Sequence, residues 1–585
     1  MLRHKDESMR TKENSFFFNL VTYGKEISGF ASSSMRHPII AGIGRMTGGL
    51  VKRLLYTSTK VYGYFLESFG VVSLLLHLAK YYFQDNPEVR LSTLIISAIL
   101  ALVGIPLIFI DKPLCLALQN FSFTDYLLFE FFSIKRMRGE DSVKALHTPV
   151  GIIVGLIPAA LAFFFPIEYV LIVIAAVLVA TVSIVSPEFL LISVVMAIPY
   201  VKFLPYGEMT LAAAVLLLLI SFLRKVMLGK RVMMVGLTDL FVVLFVLSII
   251  GFGVIGGGGE STYDSWVIAI LALGYFPAAN IIVNRRLADC CANAFIIAAL
   301  PASLVAFIKF IISCISGAPT PSASVMEETY QLAAFLLVAA ALCIYYIAVG
   351  RAVTKAVYSV ILVILFAGVF ATWCAPVLIV LPLSAIAFLL VRRTKLPCEL
   401  LVIICALPLL IFFLPSDVLY TVSTFFKMDV PLGEMKGRLI SSFGLFTENV
   451  IMGLGADAAA RGDGETNYFN LLLGIGCRFG VFALVALVLL LLFKLRRVSV
   501  YSRYLQYSSL EALSSFTLLA VFSVFTLGLF YDVTAASELY FVIFVILGMN
   551  TASLRVSKKE YDDMLGYFGD NRGSYSSVAD ITLKR

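Results

Sequence analysis

Residues 471–493 read LLLGIGCRFGVFALVALVLLLLF, an apolar run of 23 residues with one charged side chain, Arg478. An α-helix needs about 20 apolar residues to cross the hydrocarbon core of a bilayer. The run lacks the polar and apolar alternation of a membrane β-barrel strand, and only a helix satisfies its own backbone groups in lipid. These residues therefore predict a transmembrane α-helix.

The composition of the whole chain agrees with this prediction. Of its 585 residues 60% are apolar and 14% are charged, and the mean hydropathy is +0.96. Soluble domains are less apolar and more charged, and so are disordered chains, so both classes are excluded. The net charge of +8 indicates basic cytoplasmic loops and no nucleic-acid partner. The nine cysteines form no Cys-x-x-Cys pair, which indicates small buried side chains.

Apolar runs of similar length recur along the chain. The predicted fold class is an all-α polytopic membrane protein with about 14–16 transmembrane helices and one large external loop subdomain. The first run is the weakest, because His77 and Lys80 lie within it. The predicted spans are residues 67–83, 91–110, 149–165, 167–186, 188–204, 209–224, 236–255, 265–283, 293–315, 330–349, 354–373, 375–391, 398–414, 471–493, 511–530 and 537–553.

The connections between these runs alternate in charge. Basic residues cluster before the third span and after the sixth, eighth, tenth, twelfth, fourteenth and last spans, which all lie on one side if the spans alternate, whereas connections such as 256–264 and 316–328 are poor in Lys and Arg. Because cytoplasmic loops are enriched in basic residues, both termini are predicted to be cytoplasmic. The long connection 415–470 is then external, and its aromatic residues predict an ordered subdomain. The basic segment 1–66 shows no cleavable signal and predicts either an amphipathic helix on an anionic leaflet or a solvated extension.

The external connection contains the side chains that could carry chemistry. A basic pair, Lys436 and Arg438, opens an amphipathic stretch, and a glycine turn follows at 453–455. A polar segment then leads into the span at 471–493. Arginine suits phosphate because its planar guanidinium donates to two oxygens at once. A neighbouring carboxylate suits a general base for a hydroxyl nucleophile. The pattern indicates a site for a phosphate-bearing substrate.

The order of residues in this region matches a known pattern. An Arg opens a helix in a large external loop, an aromatic residue follows one turn on, and a Gly-x-Gly turn precedes an Asn-x-aromatic element and a glycine-punctuated span. On this pattern the chain resembles the bacterial O-antigen ligase and O-antigen polymerase superfamily. The residues that carry the resemblance are Arg438, Phe443, Gly453, Gly455, Asn467, Phe469 and Gly480.

The resemblance implies a division of the chain. Residues 149–414 would form a ligase-like transmembrane core, 415–470 the external loop subdomain with the candidate site, and 471–553 the C-terminal transmembrane helices. The remaining parts would be additions to the family core. These are the basic cytoplasmic or interfacial segment 1–66, a transmembrane hairpin with its cytoplasmic loop at 67–148, and a cytoplasmic tail at 554–585.

The chain departs from the family pattern at the residue that would activate the acceptor. Family members carry a histidine before the Asn, whereas this chain has Thr466, and its four histidines all precede the core. The Ser-Arg-Gly element of a central span is also replaced, by Ala-Thr-Trp-Cys at 371–374. If the chain is active, Glu465 and Asp463 are the candidate catalytic bases. If neither serves, the chain is an inactive relative or a partner of an active one.

Each candidate for substrate binding has a structural alternative. Arg438 could pair with Glu434 along its helix, Arg461 could pair with a neighbouring aspartate, and Lys309 could extend to the membrane surface. Arg478 lies inside a span, where a charge requires a buried partner or a substrate anion. Asn467 could cap the helix that follows it. The candidate substrate-binding residues are Arg438, Arg461, Arg478, Lys309 and Asn467.

The resemblance implies a membrane glycosyltransferase, either a ligase or a polymerase, of the bacterial cytoplasmic (inner) membrane. It would transfer a glycan from an undecaprenyl pyrophosphate carrier to a sugar or glycolipid acceptor on the outer face. The scheme needs no cofactor and no metal. Its partners would be the lipid-linked donor, the acceptor, membrane lipids and other polysaccharide-assembly proteins. Two alternatives are a lipid-linked glycan transporter or flippase and a non-catalytic scaffold for envelope polysaccharide assembly.

Overall fold

The part of the chain that the computed structural model describes is almost entirely helical. It contains no β-strand, and its one isolated bridge joins Ser58 to Pro113. The described residues are 53–54, 56–83, 91–132, 147–204, 206–228, 231–256, 259–317, 320–323, 325–374, 413–425, 431–456, 470–504, 509–533 and 536–570.

We number the longer α-helices in chain order. A one-turn helix at Ser122–Thr124, a π-helix at Asp125–Phe131 and a 3-10 helix at Ile198–Phe203 lie between them. The numbered helices are α1 (Thr59–Phe83), α2 (Leu91–Ile108), α3 (Leu114–Asn120), α4 (Thr148–Phe164), α5 (Ile167–Val185), α6 (Pro187–Ala197), α7 (Gly207–Met227), α8 (Leu237–Gly256), α9 (Gly259–Leu273), α10 (Tyr275–Ile281), α11 (Arg285–Ile315), α12 (Thr329–Val349), α13 (Ala352–Ala371), α14 (Ser416–Phe425), α15 (Leu432–Glu448), α16 (Leu471–Tyr504), α17 (Ser509–Leu527) and α18 (Ser537–Asp570).

The predicted fold class is confirmed. Among the described residues nine helical segments are long and apolar enough to cross a membrane, with α9 and α10 together forming one of them. Four shorter apolar helices, in α2, α4, α8 and α17, also match predicted spans. The predicted spans 375–391 and 398–414 lie outside the described residues. The external position of 415–470 and the cytoplasmic position of the termini stay predictions.

Some elements differ in detail from the predicted spans. The run at 188–204 is not one α-helix, because α6 ends at Ala197 and a 3-10 helix follows. Pro199 explains the change, since proline has no backbone N–H and its ring clashes with the preceding α-helical turn. At the C-terminal side, α16 and α18 continue beyond their apolar runs to Tyr504 and Asp570. The amphipathic stretch of the long connection forms α15.

The chain divides into two compact units. The smaller unit covers the described residues up to Leu190 together with Ile220–Arg231. Within it α1 packs closely against α2 and α4. A Cβ atom at Gly70 would lie 2.4 Å from the backbone nitrogen of Ala101, and one at Gly155 would lie 2.0 Å from the Ser68 hydroxyl oxygen. Small residues thus let these helices approach, as is common where membrane helices pack together.

The larger unit is built around α18, whose apolar part is almost wholly buried. This helix packs against α9, α10 and α17, while α8 packs on α16 and α12 packs on α13 and α17. By contrast, most of α13 remains exposed, as expected of a helix whose outer side faces lipid. The burial of α18 agrees with its small and polar residues, such as Asn550 and Thr551, which would be unfavourable on a lipid-facing surface.

A buried group of polar and charged side chains joins four helices of the larger unit. Lys494 of α16 is fully buried, and its ammonium group donates to the hydroxyl oxygens of Tyr275 and Thr551. The Tyr275 hydroxyl donates in turn to Asp239 at the start of α8. Arg555 of α18 completes the group, with its Nη2 atom 3.2 Å from the Asp239 carboxylate. These contacts connect α8, α10, α16 and α18, and we call them the four-helix polar network.

We expect Asp239→Asn to destabilise the protein strongly. The change removes the carboxylate of the network and leaves Lys494 and Arg555 buried without it, which costs about 3–5 kcal/mol in comparable cases. Glu434→Gln is the control, because it breaks the exposed pair with Arg438, and exposed pairs contribute only about 0–1 kcal/mol. Thermal unfolding in detergent should separate the two variants. Equal melting temperatures for them would show that the network does not stabilise the larger unit.

Candidate functional site

Helix α16 is interrupted at Gly480, about two and a half turns after its start at Leu471, which is the end that the sequence predicts to be external. Gly480 has φ +77° and ψ 179°, which is not helical and is strained for any residue with a side chain. A Cβ atom at this position would also lie 2.1 Å from the carbonyl oxygen of Ile451. Both the conformation and the space at this position therefore require glycine.

The long connection supplies hydrogen-bond partners for the backbone groups of α16 that this interruption leaves unpaired within the helix. The amide of Leu454 donates to the carbonyl of Cys477 at 2.7 Å, and the amide of Gly455 donates to the carbonyl of Arg478 at 3.0 Å. On the other side of the break, the amide of Val481 donates to the carbonyl of Val450 at 2.7 Å. Because unpaired backbone groups are costly away from water, these bonds let a membrane helix break at this point. We call residues 450–455 the docking turn.

The glycines of the docking turn explain why the connection can reach the helix. Gly453 and Gly455 have φ values of +69° and +91°, respectively. At Gly453 a Cβ atom would lie 2.5 Å from the carbonyl oxygen of Arg478. The predicted glycine turn at 453–455 is therefore a left-handed turn that approaches the backbone of α16 directly. Helix α15 precedes this turn and packs against α16.

Arg478 lies two residues before the break and carries a buried charge. Its side chain is 7% exposed, and its Nη2 atom lies 2.7 Å from the carboxylate of Asp532, which is 12% exposed. Asp532 follows α17 in the chain. The amide of Leu471 also donates to the carbonyl of Gly528 at 2.7 Å, so the start of α16 is fixed to the end of α17. The buried partner that an arginine inside a span requires is thus Asp532.

Two tyrosines lie beside this ion pair. The rings of Tyr330 and Tyr531 are stacked, with centroids 5.5 Å apart and planes inclined by 8°. Both side chains are half-buried. The charges of Arg478 and Asp532 are close enough to interact with the Tyr330 hydroxyl. Tyr330 stands in the first turn of α12, which Glu328 and Gln331 cap reciprocally. An aromatic surface next to charged groups can hold the apolar face of a sugar ring while polar groups bind its hydroxyls.

A second aromatic pair lies at the adjacent ends of α11 and α13. Trp373 has φ +54°, a strained conformation for an aromatic residue, and its ring lies 5.5 Å from that of Phe310. Cys374 then contacts Thr329, the residue before Tyr330, at 3.6 Å. Strained residues of this kind often belong to functional sites. We take the candidate site as Arg478, Asp532, Tyr330, Tyr531 and the docking turn, with Trp373 at its border.

The structure brings only some of the predicted site residues into this region. Arg478 stands at its centre. Arg438 lies in α15 and forms the predicted alternative pair with Glu434 at 2.5 Å, with 33% of its side chain exposed. Lys309 is exposed on α11, next to Phe310. The remaining candidates, Arg461, Asp463, Glu465 and Asn467, lie outside the described residues.

Three residues of this site, Asp532, Tyr531 and Tyr330, were not predicted from the sequence. Asp532 and Tyr531 lie in the connection after the predicted span 511–530, and Tyr330 is the first residue of the predicted span 330–349. A usable signal did exist, because a lone arginine inside a span needs an acidic partner near the end of another span, and Asp532 has that position. Among the described residues no group of His, Cys, Asp and Glu side chains is arranged to hold a metal ion.

We expect Gly480→Ala to uncouple the docking turn from α16. The added methyl group collides with Ile451 and forces a residue with a side chain into a left-handed conformation. Gly444→Ala is the matched control, because Gly444 lies within α15 with nothing within 4 Å of the added atom. Hydrogen exchange of residues 450–455 should be faster in the Gly480 variant alone. Unchanged protection of these amides in Gly480→Ala would contradict the docking role.

Comparisons with known proteins leave the family of the chain open. No protein-family model matches the sequence, and no curated protein matches it. The resemblance to the O-antigen ligase and polymerase superfamily therefore rests on the motif residues alone and stays a prediction. What is shown is a multi-pass α-helical membrane protein with a charged and aromatic site at the break in α16.

Proposed function

We propose that the protein is a membrane glycosyltransferase that transfers a glycan from a polyprenyl pyrophosphate carrier to a sugar hydroxyl. One observation carries the proposal, namely that the docking turn bonds to α16 at the residue that bears the buried guanidinium. The motif that resembles O-antigen ligases contains both partners of this contact, the glycine turn and the glycine-interrupted span. The two halves of the sequence motif thus meet in one site.

The chemistry requires a cation for the leaving group. The acceptor oxygen attacks the anomeric carbon, the bond from that carbon to the phosphate oxygen breaks, and the carrier pyrophosphate leaves with the bonding electrons. A fixed guanidinium that faces the developing negative charge in a low-dielectric site is well suited to stabilise it. Arg478 has this character, because Asp532 and the docking turn hold it in place. Arg438 and Lys309, which are more exposed, would assist from the surface.

The acceptor requires a surface for its ring and a base for its proton. The stacked rings of Tyr330 and Tyr531 offer an apolar surface beside the ion pair. Asp532 is engaged by Arg478, so we assign it to orienting the guanidinium. The proton acceptor stays Glu465 or Asp463, which follow the docking turn in the chain by about ten residues. In this scheme the base belongs to the segment 457–469, which lies outside the described residues.

Replacing the ion pair by apolar residues tests this assignment. Arg478→Met with Asp532→Leu removes both charges together, and such replacements are often neutral for stability. We expect glycan transfer by the purified protein to fall by about 100-fold or more, since loss of one stabilising donor costs 10²–10³ in comparable sites. The measurement is transfer from an extract of lipid-linked glycans from the source membranes. Arg285→Gln, an exposed change on α11, is the control for membrane insertion and yield.

A glycan transporter is the second candidate, because an interrupted helix such as α16 is also a feature of transporters. The two functions differ in what accumulates when the protein is inactive. Loss of a transporter leaves lipid-linked glycans on the cytoplasmic leaflet, whereas loss of a transferase leaves them on the outer leaflet. Full transfer activity in the Arg478→Met, Asp532→Leu variant, or accumulation on the cytoplasmic side, would refute the transferase proposal.

A further inference from the structure

A second charged group lies in the smaller unit, remote in sequence from the candidate site. Glu188, in the first turn of α6, is the carboxylate at its centre, and its side chain is 9% exposed. Lys225 lies 2.5 Å from one carboxylate oxygen and Arg231 lies 2.9 Å from the other. Both oxygens of Glu188 are therefore engaged by cations that belong to the smaller unit.

For the third cation of this group, Arg224, the described residues provide a carbonyl oxygen and no carboxylate as partner. Arg224 donates from Nη1 to the carbonyl oxygen of Ile184 at 2.6 Å, at the C-terminal end of α5. Ser221 donates to the neighbouring carbonyl of Ser183 at 2.6 Å and fixes the two helix ends together. Within the described chain the group thus combines three positive charges with one negative charge, an excess of two. We call Arg224, Lys225, Arg231 and Glu188 the basic cluster.

The basic cluster lies at the end of a membrane-spanning helix. Helix α7 has 21 residues and is about 31 Å long, which matches the hydrocarbon thickness, and Arg224 and Lys225 occupy its last turn. That turn is therefore level with the lipid headgroups. The same helices present exposed apolar side chains, namely Ile220 on α7 and Val177, Leu178 and Val179 on α5. Surfaces of this kind contact acyl chains.

We propose that the basic cluster is a binding site for the phosphate of an anionic phospholipid. Glu188 and a carbonyl of α5 hold the cations in place, so the side chains are already ordered before a ligand binds. Lys225 and Arg231 are 17% and 26% exposed, which lets phosphate oxygens reach them. Guanidinium and ammonium groups are the usual donors to phosphate. A free phosphate ion has the same chemistry, but the exposed apolar side chains beside the cluster favour a lipid.

The site has a structural consequence for the smaller unit. One headgroup that contacts Arg224 and Arg231 would connect the end of α7 with the segment that follows it. Glu188 already connects both to the start of α6, and Ser221 connects α7 to α5. The bound lipid would neutralise the excess charge of the cluster. It would thereby stabilise the mutual arrangement of α5, α6 and α7.

Lipid binding to the full-length protein tests the proposal. The protein is delipidated in detergent and titrated with phosphatidylglycerol, and bound lipid is counted by native mass spectrometry. We expect one tight site for phosphatidylglycerol and at least tenfold weaker binding of phosphatidylcholine. Arg224→Gln with Arg231→Gln should weaken the tight site by about fivefold per removed cation, as expected for basic residues at an anionic surface. The variant keeps the Lys225–Glu188 pair, so the carboxylate stays compensated.

Two further variants make each outcome decisive. Glu188→Gln raises the excess charge of the cluster, so we expect tighter binding of phosphatidylglycerol. Arg351→Gln with Lys355→Gln removes the same amount of charge from two exposed positions at the start of α13 and should leave the tight site unchanged. If this control lost affinity for phosphatidylglycerol to the same extent, general surface electrostatics would explain the effect and the proposed site would be overturned. Full competition by 1 mM inorganic phosphate, or unchanged binding in the Arg224 and Arg231 variant, would also overturn it.

Discussion

The structure around the candidate site depends on three backbone hydrogen bonds between the docking turn and α16. A helix that breaks inside a membrane exposes amide and carbonyl groups that lipid cannot satisfy. Leu454, Gly455 and Val450 supply the missing partners at Cys477, Arg478 and Val481. The break at Gly480 and the turn at 453–455 therefore depend on each other for their hydrogen bonds, and neither would be stable alone. Because one of these bonds is to the carbonyl of Arg478, the same contacts help to position its guanidinium group.

Helix α16 carries two buried basic side chains, Arg478 and Lys494. Arg478 pairs with Asp532 next to the break, and Lys494, sixteen residues further on, belongs to the four-helix polar network. Buried charges are costly unless they are paired or hydrogen-bonded. Arg478 is paired with Asp532, and Lys494 donates to Tyr275 and Thr551, the first of which donates to Asp239. The two side chains therefore hold α16 against α17 at Arg478 and against α8, α10 and α18 at Lys494. This restraint suits a helix whose interruption must stay in register with a loop.

The sequence predicted the fold far better than the site. Apolar length alone located most of the spans, because a membrane helix needs no partner to satisfy its backbone. It did not predict that α6 changes to a 3-10 helix at Ile198, although Pro199 was visible. Arg478 was identified as a buried charge that needs a partner, but Asp532 was not, since their meeting depends on how α16 and α17 pack. The strain at Trp373 likewise follows from tertiary contacts and has no signature in the sequence.

Arg438, which opens the motif, and Arg478, which lies in the span at its end, differ in burial, and this difference bears on which of them would act on the leaving group of the proposed reaction. Arg438 is partly exposed and bonds to Glu434 one turn away on its own helix, so water and its neighbour already screen its charge. Arg478 is buried, and its partner comes from another part of the chain. Electrostatic interactions are stronger in a site that excludes water, and a fixed group needs no reorganisation when charge develops. A pyrophosphate would therefore gain more from Arg478. The sequence motif begins at Arg438, but in the proposed reaction the charge that acts most strongly on the leaving group is forty residues later, at Arg478.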